Sequence, residues 1–286
     1  MVILDGKKLS EEILEEIKKE FSRKKQTIKL DIILVGNNPA SEIFVRRKEK
    51  ACLSVGVSFE LHRFNLNIGM DEFKKAVKKI SYDANVSGVV IQLPLSKHLN
   101  RQEVFDVIPS NKDVDILSTY NLGKFYTGDL LCMPPVVSTV AHFFKKYKIS
   151  LKGKKVVLVG AGRLVGFPLS LWLFGKKATV SVVNEFTGDI SLYTKKADII
   201  ISGVGRPQFI KGDMIKKGAV IIDVGTSFQG KKIFGDFDSK TIAQKASYIT
   251  PVPGGVGPMT IACLLENLMI LNRNNHRIKQ PDFLNR

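Results

Sequence analysis

A lysine and an aromatic residue fall on one face of a predicted helix near the start of the chain. The apolar run Leu30–Val35 predicts a buried strand, which ends at the turn-forming cluster Gly36–Pro39. We expect a helix to follow with Ser41 as its N-cap, which places Phe44 and Lys48 one turn apart on the same face. A ring that stacks on a flat substrate would then lie beside an amine that transfers protons. Taken alone, this stretch favours a plainer interpretation, in which Phe44 belongs to the core and Lys48 is solvated.

Polar side chains also follow the next apolar strand. The strand Ser87–Leu93 carries one amide, Gln92, near its carboxyl end, where open α/β sheets bind their ligands. Further on, Asp113 and Asp115 flank one valine, so an extended backbone would place both carboxylates on one side. Such a pair can accept hydrogen bonds from the paired donors of an aminopyrimidine edge. The same residues are equally typical of a polar turn with a capping aspartate.

The second half of the chain contains a strand, a glycine turn and a helix in succession. The predicted strand Lys154–Val159 leads into Gly160–Gly166 and then into a helix that ends at Phe174. This order is typical of dinucleotide binding, because backbone amides at the start of a helix can hold a pyrophosphate. The spacing is GxGxxxG rather than the commonest GxGxxG, and glycine turns also occur without any nucleotide. The candidate contacts are Gly160, Ala161, Gly162 and Arg163.

An acid follows the next predicted strand, Ala178–Val183. Glu185 lies about 20 residues past the glycine turn, where a carboxylate accepts hydrogen bonds from the ribose hydroxyls of NAD and repels the 2′-phosphate of NADP. Arg163 is the one nearby arginine that could bind that phosphate, and Glu185 could also be an ordinary loop acid. Two later strands, Ala197–Ser202 and Ala219–Val224, also end in glycine turns, at Gly203 and just before Thr226.

Length and composition describe an ordinary globular protein. The chain has 286 residues, of which 44% are hydrophobic and 25% charged, so a sizeable core and either two domains or one large domain are expected. The three cysteines form no CxxC pair and the four histidines show no metal-ligand spacing, so we expect neither a disulfide framework nor a metal site. Thiols suit the cytoplasm, and neither a signal peptide nor a membrane span is evident.

The formal net charge of +17 admits two interpretations. One is nucleic-acid binding, for which a basic patch would be expected. The other is a set of solvated helix faces, because the lysines are dispersed and no basic run alternates with stacking aromatics. We favour the second interpretation and expect no nucleic-acid partner.

Two connecting segments complete the prediction. Tyr120–Asp129 is expected to be a loop between the domains. Tyr248–Thr260 combines three prolines with three glycines in a rigid loop that a flat ligand can approach closely, and a last helix is expected over Met259–Leu271. We expect an α/β fold of two open domains that flank a cleft, residues 1–119 and 120–286, with the final helix (about 258–272) packing back on the first.

These segments together resemble the bifunctional methylenetetrahydrofolate dehydrogenase/methenyltetrahydrofolate cyclohydrolase family. The resemblance covers nearly the whole chain, and its most specific parts are VGNNPAS with FV..K.KA, GVVIQLPL, NKDVD, GAGRLVGFP and YITPVPGGVGPMT. It implies that the C-terminal domain is a Rossmann-type dinucleotide-binding domain. It also implies that NAD(P)+ takes a hydride from the methylene bridge of methylenetetrahydrofolate, and that water then opens the methenyl cation to formyltetrahydrofolate in the same cleft. Family members are usually homodimers.

The resemblance also assigns roles to matching positions. Lys48 matches the catalytic lysine, Gln92 the glutamine that hydrogen-bonds and tunes it, and Asp115 the aspartate that grips the pterin edge. A poorly hydrated lysine has its pKa lowered from about 10.4 toward neutrality, so it can act as both acid and base. Expected folate contacts are Phe44, Ile91, Leu93, Asp113, Pro253, Gly254, Gly255, Val256 and Gly257, and expected dinucleotide contacts are Gly160, Ala161, Gly162, Arg163, Glu185, Gly203 and Thr226.

Some positions depart from the family pattern. Phe44 stands where tyrosine is common, Ile116 where glycine is usual, and Gly162 where serine is often found. Many relatives carry His with Ser or Arg at the positions of Asn184 and Glu185, so the acid here favours NAD over NADP. Two other functions stay open from the residues alone. One is a different Rossmann oxidoreductase that acts on shikimate or an amino acid, and the other is a basic, non-enzymatic binding protein.

Overall fold

The computed structural model describes residues 1–23, 27–230 and 232–274, and its contacts divide the chain into two compact units. The first unit comprises Glu11–Pro135 and the residues from Ile261 onward, and the second comprises Met1–Ser10 and Val136–Thr260. The contacts thus change from one unit to the other after residue 135. The predicted boundary at residue 119 and the predicted cleft stay predictions.

The elements are numbered in chain order. The strands are β1 (Val2–Ile3), β2 (Lys29–Val35), β3 (Ser58–Phe64), β4 (Gly88–Ile91), β5 (Lys155–Val159), β6 (Thr179–Val183), β7 (Ile199–Ser202), β8 (Val220–Asp223), β9 (Ser227–Gln229), β10 (Lys232–Phe234) and β11 (Tyr248–Ile249). The helices are α1 (Gly6–Ser22), α2 (Pro39–Ser54), α3 (Met70–Tyr82), α4 (Arg101–Phe105), α5 (Thr119–Thr127), α6 (Pro135–Lys146), α7 (Gly166–Phe174), α8 (Ser191–Thr194), α9 (Ser239–Ile242) and α10 (Val256–Asn274).

A parallel sheet in the order β3–β2–β4 forms the centre of the first unit. The chain runs from β2 through α2 to β3 on one side, and then through α3 to β4 on the other side of β2. Phe73 and Val77 of α3 are fully buried in the core that covers one face of this sheet. The strand order reverses at β2, and the carboxyl edge beside such a reversal is the usual ligand crevice of an open α/β sheet.

The second unit repeats this arrangement on a larger scale. Its sheet has the order β1–β11–β8–β7–β5–β6 and all of these pairs are parallel. The chain runs from β5 through α7 to the edge strand β6 and then returns to β7 on the other side of β5. The turns after β5 and β7 therefore flank the point where the strand order reverses. The predicted α/β class with parallel sheets in two domains is confirmed.

The structure corrects two local predictions. The N-cap of α2 is Asn38 rather than Ser41, because the Asn38 side chain accepts hydrogen bonds from the amides of Ala40 and Ser41 at 2.9 and 3.2 Å. The segment Tyr120–Asp129, predicted as a loop, lies mostly in α5. Ser118 caps this helix by accepting from the amide of Asn121 at 3.3 Å, and a glycine in the left-handed region (φ 81°) ends it, both of which are helix signals.

Other differences are confined to element ends. Helix α1 begins at Gly6 rather than at residue 11, and α10 begins at Val256, inside the predicted proline–glycine loop. The hairpin β9–β10 was not predicted. Among the described residues, no helix combines the length and the apolar character needed to cross a bilayer.

Candidate active site

The crevice of the first unit brings the predicted lysine and glutamine together. Lys48 lies on α2, which leaves the end of β2, and Gln92 follows β4 directly. The amide of Gln92 donates to the carbonyl of Ile33 at 2.8 Å, which extends the β2–β4 ladder by one residue. The ammonium of Lys48 donates to Oε1 of Gln92 at 2.9 Å. Two segments 44 residues apart in the sequence therefore meet through one hydrogen bond.

The orientation of the Gln92 amide is fixed by a second hydrogen bond. Its Nε2 donates to the carbonyl of Leu93 at 2.8 Å, so its Oε1 must face Lys48. The hydroxyl of Ser41 donates to the same carbonyl at 3.3 Å, which ties the first turn of α2 to the end of β4. The bond between Leu93 and Pro94 is a cis peptide. Ser41 thus positions the helix that carries the lysine, rather than capping it.

Burial changes the acid–base properties of two groups here. It lowers the pKa of the Lys48 ammonium below its usual range, against the opposing charge of Asp115. It raises the pKa of the Asp115 carboxyl, against the opposing charge of Lys48. Both directions favour the neutral forms, because removing either charge from water is costly. A lysine of lowered pKa takes up and releases protons at a lower pH than an ordinary lysine, which suits it to acid–base chemistry.

Asp113 and Asp115 do not act as a matched pair in this structure. Residues 111–115 form turns and a single bridge rather than an extended segment, and Asp113 is buried. Its Oδ2 accepts hydrogen bonds from the hydroxyl of Ser118 at 2.7 Å, the Ser118 amide at 2.9 Å and Nδ2 of Asn121 at 3.1 Å. Asp113 therefore holds the following segment in place, while Asp115 is the partly exposed acid.

Asn267 also fixes the loop of Asp115, and sequence reasoning did not find it. From the buried face of α10, its Nδ2 donates to the carbonyls of Val114 and Met133, both at 2.9 Å. A buried amide in an otherwise apolar helix is the signal that could have identified this residue. Ile116, on the other side of Asp115, is fully buried with φ at +56°, in the left-handed region where glycine is favoured.

The remaining folate candidates of the first unit lie close to these groups in the sequence but differ in exposure. Phe44 is half-buried on α2, and the guanidinium of Arg47 lies 5.9 Å from its ring centroid. Ile91 is buried in the core cluster that also contains Ile33 and Phe73. Any substrate contact predicted for Ile91 would therefore come from its backbone. Leu93 is partly buried against the same cluster.

In the second unit, the glycine turn has the form that a pyrophosphate requires. Residues 161–164 are exposed, and α7 begins at Gly166 without a side-chain cap on its amides. A Cβ atom at residue 166 would lie 1.9 Å from the carbonyl oxygen of Gly160, so the close return of the turn depends on glycine. The turn and the open helix start fit an anionic diphosphate.

The other dinucleotide candidates lie along the same carboxyl edge of the sheet. Glu185 is exposed two residues after β6, beside the strand that leads into the glycine turn. Gly203 follows β7 directly, and Thr226 lies exposed three residues after β8. With the glycine turn that follows β5, the predicted positions therefore follow four consecutive strands, in the order β8–β7–β5–β6, of one sheet.

The proline–glycine loop of residues 253–257 also belongs to the second unit. Its bond between Val252 and Pro253 is a cis peptide, and Gly254 has φ at +105°. The carbonyl of Gly254 accepts from the amide of Lys7 at 2.8 Å, so the loop is tied to the start of α1. Pro253 is exposed, whereas Gly255 and Val256 are buried. The exposed face of the loop is thus mostly backbone and a proline ring.

The first unit also brings together three potential metal ligands. The ligand atoms of Asp31, Glu60 and His62 all lie within 4.8 Å of one another. The ammonium of Lys29 lies 3.3 Å from Oδ1 of Asp31 and hydrogen-bonds Glu60, while Nε2 of His62 lies 2.7 Å from Oδ2 of Asp31. A lysine therefore already supplies positive charge to these acids. The expectation that the protein holds no metal stays a prediction.

Comparison with known proteins assigns the chain to a family. The catalytic domain of tetrahydrofolate dehydrogenase/cyclohydrolase matches residues 4–115, and the NAD(P)-binding domain of the same family matches residues 134–276. The chain belongs to the tetrahydrofolate dehydrogenase/cyclohydrolase family. It is a bifunctional enzyme that oxidises 5,10-methylenetetrahydrofolate with NAD(P) and hydrolyses the methenyl product to 10-formyltetrahydrofolate. This membership decides against the other oxidoreductase and against the basic, non-enzymatic binding protein.

Individual relatives match the chain over almost their full length. The bifunctional protein FolD of Hydrogenobaculum sp. (strain Y04AAS1) is 45% identical over 271 residues, which cover 94% of this chain and 98% of that protein. The crystal structure of the bifunctional enzyme FolD from Campylobacter jejuni superposes with a TM-score of 0.92 at 40% identity, covering 96% of this chain and 99% of the other. The FolD structure from Trypanosoma brucei, complexed with NADP and an inhibitor, gives 0.91 at 30% identity and covers 97% and 99%.

Proposed function

We propose that Lys48 is the acid–base group of the hydrolytic step, that Gln92 sets its orientation, and that Asp115 binds the pterin. The observation that carries this proposal is the 2.9 Å hydrogen bond from the Lys48 ammonium to Gln92, formed by a lysine whose pKa burial lowers. A desolvated amine that is held in one direction is suited to proton transfer at a fixed carbon. Lys50, the other lysine of α2, is exposed and lacks that environment.

The hydrolysis then follows from the chemistry of an amine. Neutral Lys48 takes a proton from water while the water oxygen bonds to the methenyl carbon. The Lys48 ammonium returns this proton to N5 as the bond between the carbon and N5 breaks, and Lys48 accepts the hydroxyl proton as the formyl carbonyl forms. Lys48 finally releases that proton to solvent, so that the methenyl cation and water give 10-formyltetrahydrofolate and one proton.

For the folate itself, we propose a clamp made of several contacts. The carboxylate of Asp115 accepts hydrogen bonds from the paired donors of the pterin edge, and binding such donors stabilises its ionised form. Phe44 stacks on the pterin ring, since it lies one helical turn from Lys48.

Bound NAD(P)+ supplies the hydride acceptor for the oxidation. We propose that the amides at the start of α7 and the turn Gly160–Gly162 hold its pyrophosphate, with further contacts from Gly203 and Thr226. Glu185 accepts hydrogen bonds from the ribose hydroxyls and repels a 2′-phosphate, so we propose NAD as the preferred cofactor. Arg163, in the exposed part of the turn, is the residue that would let NADP bind as well.

We also infer a homodimer that forms through β6. This strand is at the edge of its sheet, and within the described ranges no strand pairs with its outer side. Val182 on β6 is 42% exposed, and Phe167 and Phe174 on α7 are 54% and 62% exposed. An apolar edge favours association, whereas the edge strand β3 carries charged residues that oppose it. Light scattering should show a dimer for the wild type and a monomer for Val182→Lys; a wild-type monomer would refute this inference.

We place the enzyme in the cytoplasm. Cys52, Cys132 and Cys263 are buried thiols, the form that a reducing compartment maintains. Fractionation of the source cells with an antibody against this chain tests the assignment, and recovery of the protein outside the cytoplasm would contradict it.

One assay tests the proposed chemistry directly. Purified enzyme is given methylenetetrahydrofolate with NAD+ or NADP+ in parallel, and the formation and decay of the methenyl product are followed by absorbance. We expect formation with both cofactors, faster with NAD+, followed by decay. Formation without decay would contradict the role of Lys48, and strong preference for NADP+ would contradict the role of Glu185.

A further inference from the structure

Two buried aspartates of the second unit lie beneath the turns assigned to the cofactor. Asp223 is the last residue of β8, and Asp236 follows the hairpin β9–β10. Their exposed fractions are 3% and 0%. The reaction as proposed above uses neither of them, and buried carboxylates are retained at a cost unless their oxygens are well bonded.

Asp236 accepts three hydrogen bonds from the end of β7 and the turn that follows it. Its Oδ2 accepts from the hydroxyl of Ser202 at 2.7 Å and from the amide of Val204 at 2.8 Å. Its Oδ1 accepts from the amide of Arg206 at 2.9 Å. One side chain thus accepts hydrogen bonds from the backbone amides on both sides of Gly205. These amides lie in the turn after β7, outside the ladder of the sheet.

Asp223 performs the same task for the neighbouring turn. Its Oδ1 accepts from the amides of Gly225 at 3.1 Å and Asp236 at 3.0 Å, and its Oδ2 accepts from the amide of Phe237 at 3.1 Å. Burial, together with the charge of Asp236, raises the pKa of Asp223 to about 7 against the effect of these amides. The two carboxylates are therefore close enough to interact electrostatically.

Each aspartate also packs against a glycine beside the other. A Cβ atom at residue 225 would lie 2.1 Å from Oδ1 of Asp236, and one at residue 235 would lie 2.0 Å from Oδ2 of Asp223. The two carboxylates and the two glycines interlock, and we call Asp223, Gly225, Gly235 and Asp236 the aspartate clasp. The clasp joins the turn after β7, the turn after β8 and the base of the hairpin.

We propose that Asp236, acting through the clasp, is a positioning residue for the dinucleotide: it holds the turn that begins at Gly203 and the turn that contains Thr226 in the conformation that binds NAD(P). This inference rests on the proposed assignment of Gly203 and Thr226 to the cofactor. Preorganised turns bind more tightly because the ordering cost is met before the ligand arrives. The clasp therefore acts on cofactor affinity and leaves the folate chemistry of Lys48 unchanged.

The test compares two aspartate-to-asparagine variants. Asp236→Asn replaces one acceptor oxygen by an amide NH2, which must then face a backbone N–H whichever way the side chain turns. Asp198→Asn is the matched control, because Asp198 accepts from the amide of Lys155 at 2.8 Å and pairs with Lys216 at the amino end of the same sheet. Cyclohydrolase activity on methenyltetrahydrofolate needs no dinucleotide and reports whether a variant changes the folate chemistry, while circular dichroism reports whether it is folded.

We expect Asp236→Asn to raise KM for NAD(P)+ at least about tenfold, which corresponds to ~1.4 kcal/mol, with kcat at saturating cofactor and cyclohydrolase activity changed by less than about threefold. Asp198→Asn should leave KM for the cofactor within about twofold. The proposal is overturned if Asp236→Asn leaves this KM unchanged, if it lowers both activities together in folded protein, or if the control raises KM equally. Wild-type enzyme without NAD(P)-dependent activity would instead refute the proposed function.

A measurement on the wild type covers the case in which Asp236→Asn does not fold. Hydrogen exchange of the enzyme alone should show the amides of Val204, Arg206 and Gly225 protected before any nucleotide is added. Exchange of these amides as fast as that of the exposed turn at Gly230 would show that the clasp does not order the turns, and would overturn the proposal.

Discussion

The side chains of Lys48 and Gln92 form a hydrogen bond whose direction is set from outside the pair. Because Nε2 of Gln92 is committed to the carbonyl of Leu93, its oxygen must receive the Lys48 ammonium. The lysine is thus held by a neutral acceptor, while Asp115, whose charge also acts on it, has a pKa that burial raises. Lys48 can therefore lose its proton without breaking a salt bridge to an ionised carboxylate.

Replacing Lys48 by methionine should remove hydrolysis and spare dinucleotide binding. The apolar side chain fills similar volume but cannot carry a proton, so we expect the cyclohydrolase rate to fall more than about 100-fold, the scale of general acid–base catalysis. Steady-state assay of methenyl decay and titration with NAD+ measure the two properties. Lys50→Met, an exposed lysine on the same helix, is the control and should retain full activity. Unimpaired hydrolysis in Lys48→Met would refute the role assigned to the lysine.

Two substitutions of Gln92 should shift the pH profile of hydrolysis in opposite directions. Burial lowers the pKa of Lys48, so the rate should rise with pH along a limb that lies below about 10.4, the ordinary lysine value. Gln92→Met removes an acceptor that favours the charged ammonium and should move this limb to lower pH. Gln92→Glu adds an opposite charge and should move it to higher pH by about 1–3 units. Rate profiles that shift in the same direction for both variants would contradict the proposed pairing.

Glu185 should determine the choice between the two dinucleotides. Glu185→Ser removes the carboxylate that would repel a 2′-phosphate, so the ratio of kcat/KM for NADP+ to that for NAD+ should rise about tenfold or more, equivalent to ~1.4 kcal/mol. Asp213→Ser removes the same charge from another exposed position of the second unit and should leave the ratio unchanged. A wild-type enzyme that already prefers NADP+ strongly would show that Glu185 does not act in this way.

Two residues with positive φ should respond in opposite ways to glycine. Ile116 (φ 56°) is fully buried, and Lys148 (φ 53°) is exposed just after α6. The left-handed conformation costs a residue with a Cβ roughly 1–2 kcal/mol. Lys148→Gly should therefore raise the free energy of unfolding by about 1 kcal/mol, after the greater entropy of the unfolded chain is counted.

Ile116→Gly should lower the stability despite relieving the same strain. Truncation of a buried isoleucine costs about 2–5 kcal/mol, which exceeds the strain that is released. Denaturant titration monitored by circular dichroism measures both variants. A stabilised Ile116→Gly would mean that the strain beside Asp115 is larger than that of an ordinary left-handed residue.

Local patterns predicted the groups that lie near strand ends. The sequence predicts Gln92 at a site because an amide at the end of an apolar strand is unusual. It predicts the glycine turn because strand, turn and helix follow one another within about 20 residues. The N-cap of α2 was misassigned because Asn38 and Ser41 are both good caps, and only the contact of Ser41 with Leu93, 52 residues away, decides between them. Helix α5 is not predicted because serine and glycine, the residues that begin and end it, are also common in loops.

Contacts that depend on tertiary structure could not be predicted. Asp223 and Asp236 are separated by 13 residues, and nothing in either neighbourhood indicates that a hairpin closes between them. Asn267 lies 153 residues from Val114, so its role depends on where α10 packs. The sequence predicts the strand that contains Asp223 and the last helix, but not the hairpin before Asp236, and the identity of each hydrogen-bond partner is a property of the folded unit.

The interlock of two acids and two glycines constrains how this enzyme can be altered. A methyl group at residue 225 or 235 would collide with a carboxylate of the clasp, so neither glycine can be exchanged while both aspartates are in place. Replacing either aspartate with a shorter side chain would leave several backbone amides without a hydrogen-bond acceptor. In a mutant library these four positions should accept replacements only as a coordinated set, which makes them unsuitable sites for one-at-a-time redesign of cofactor specificity.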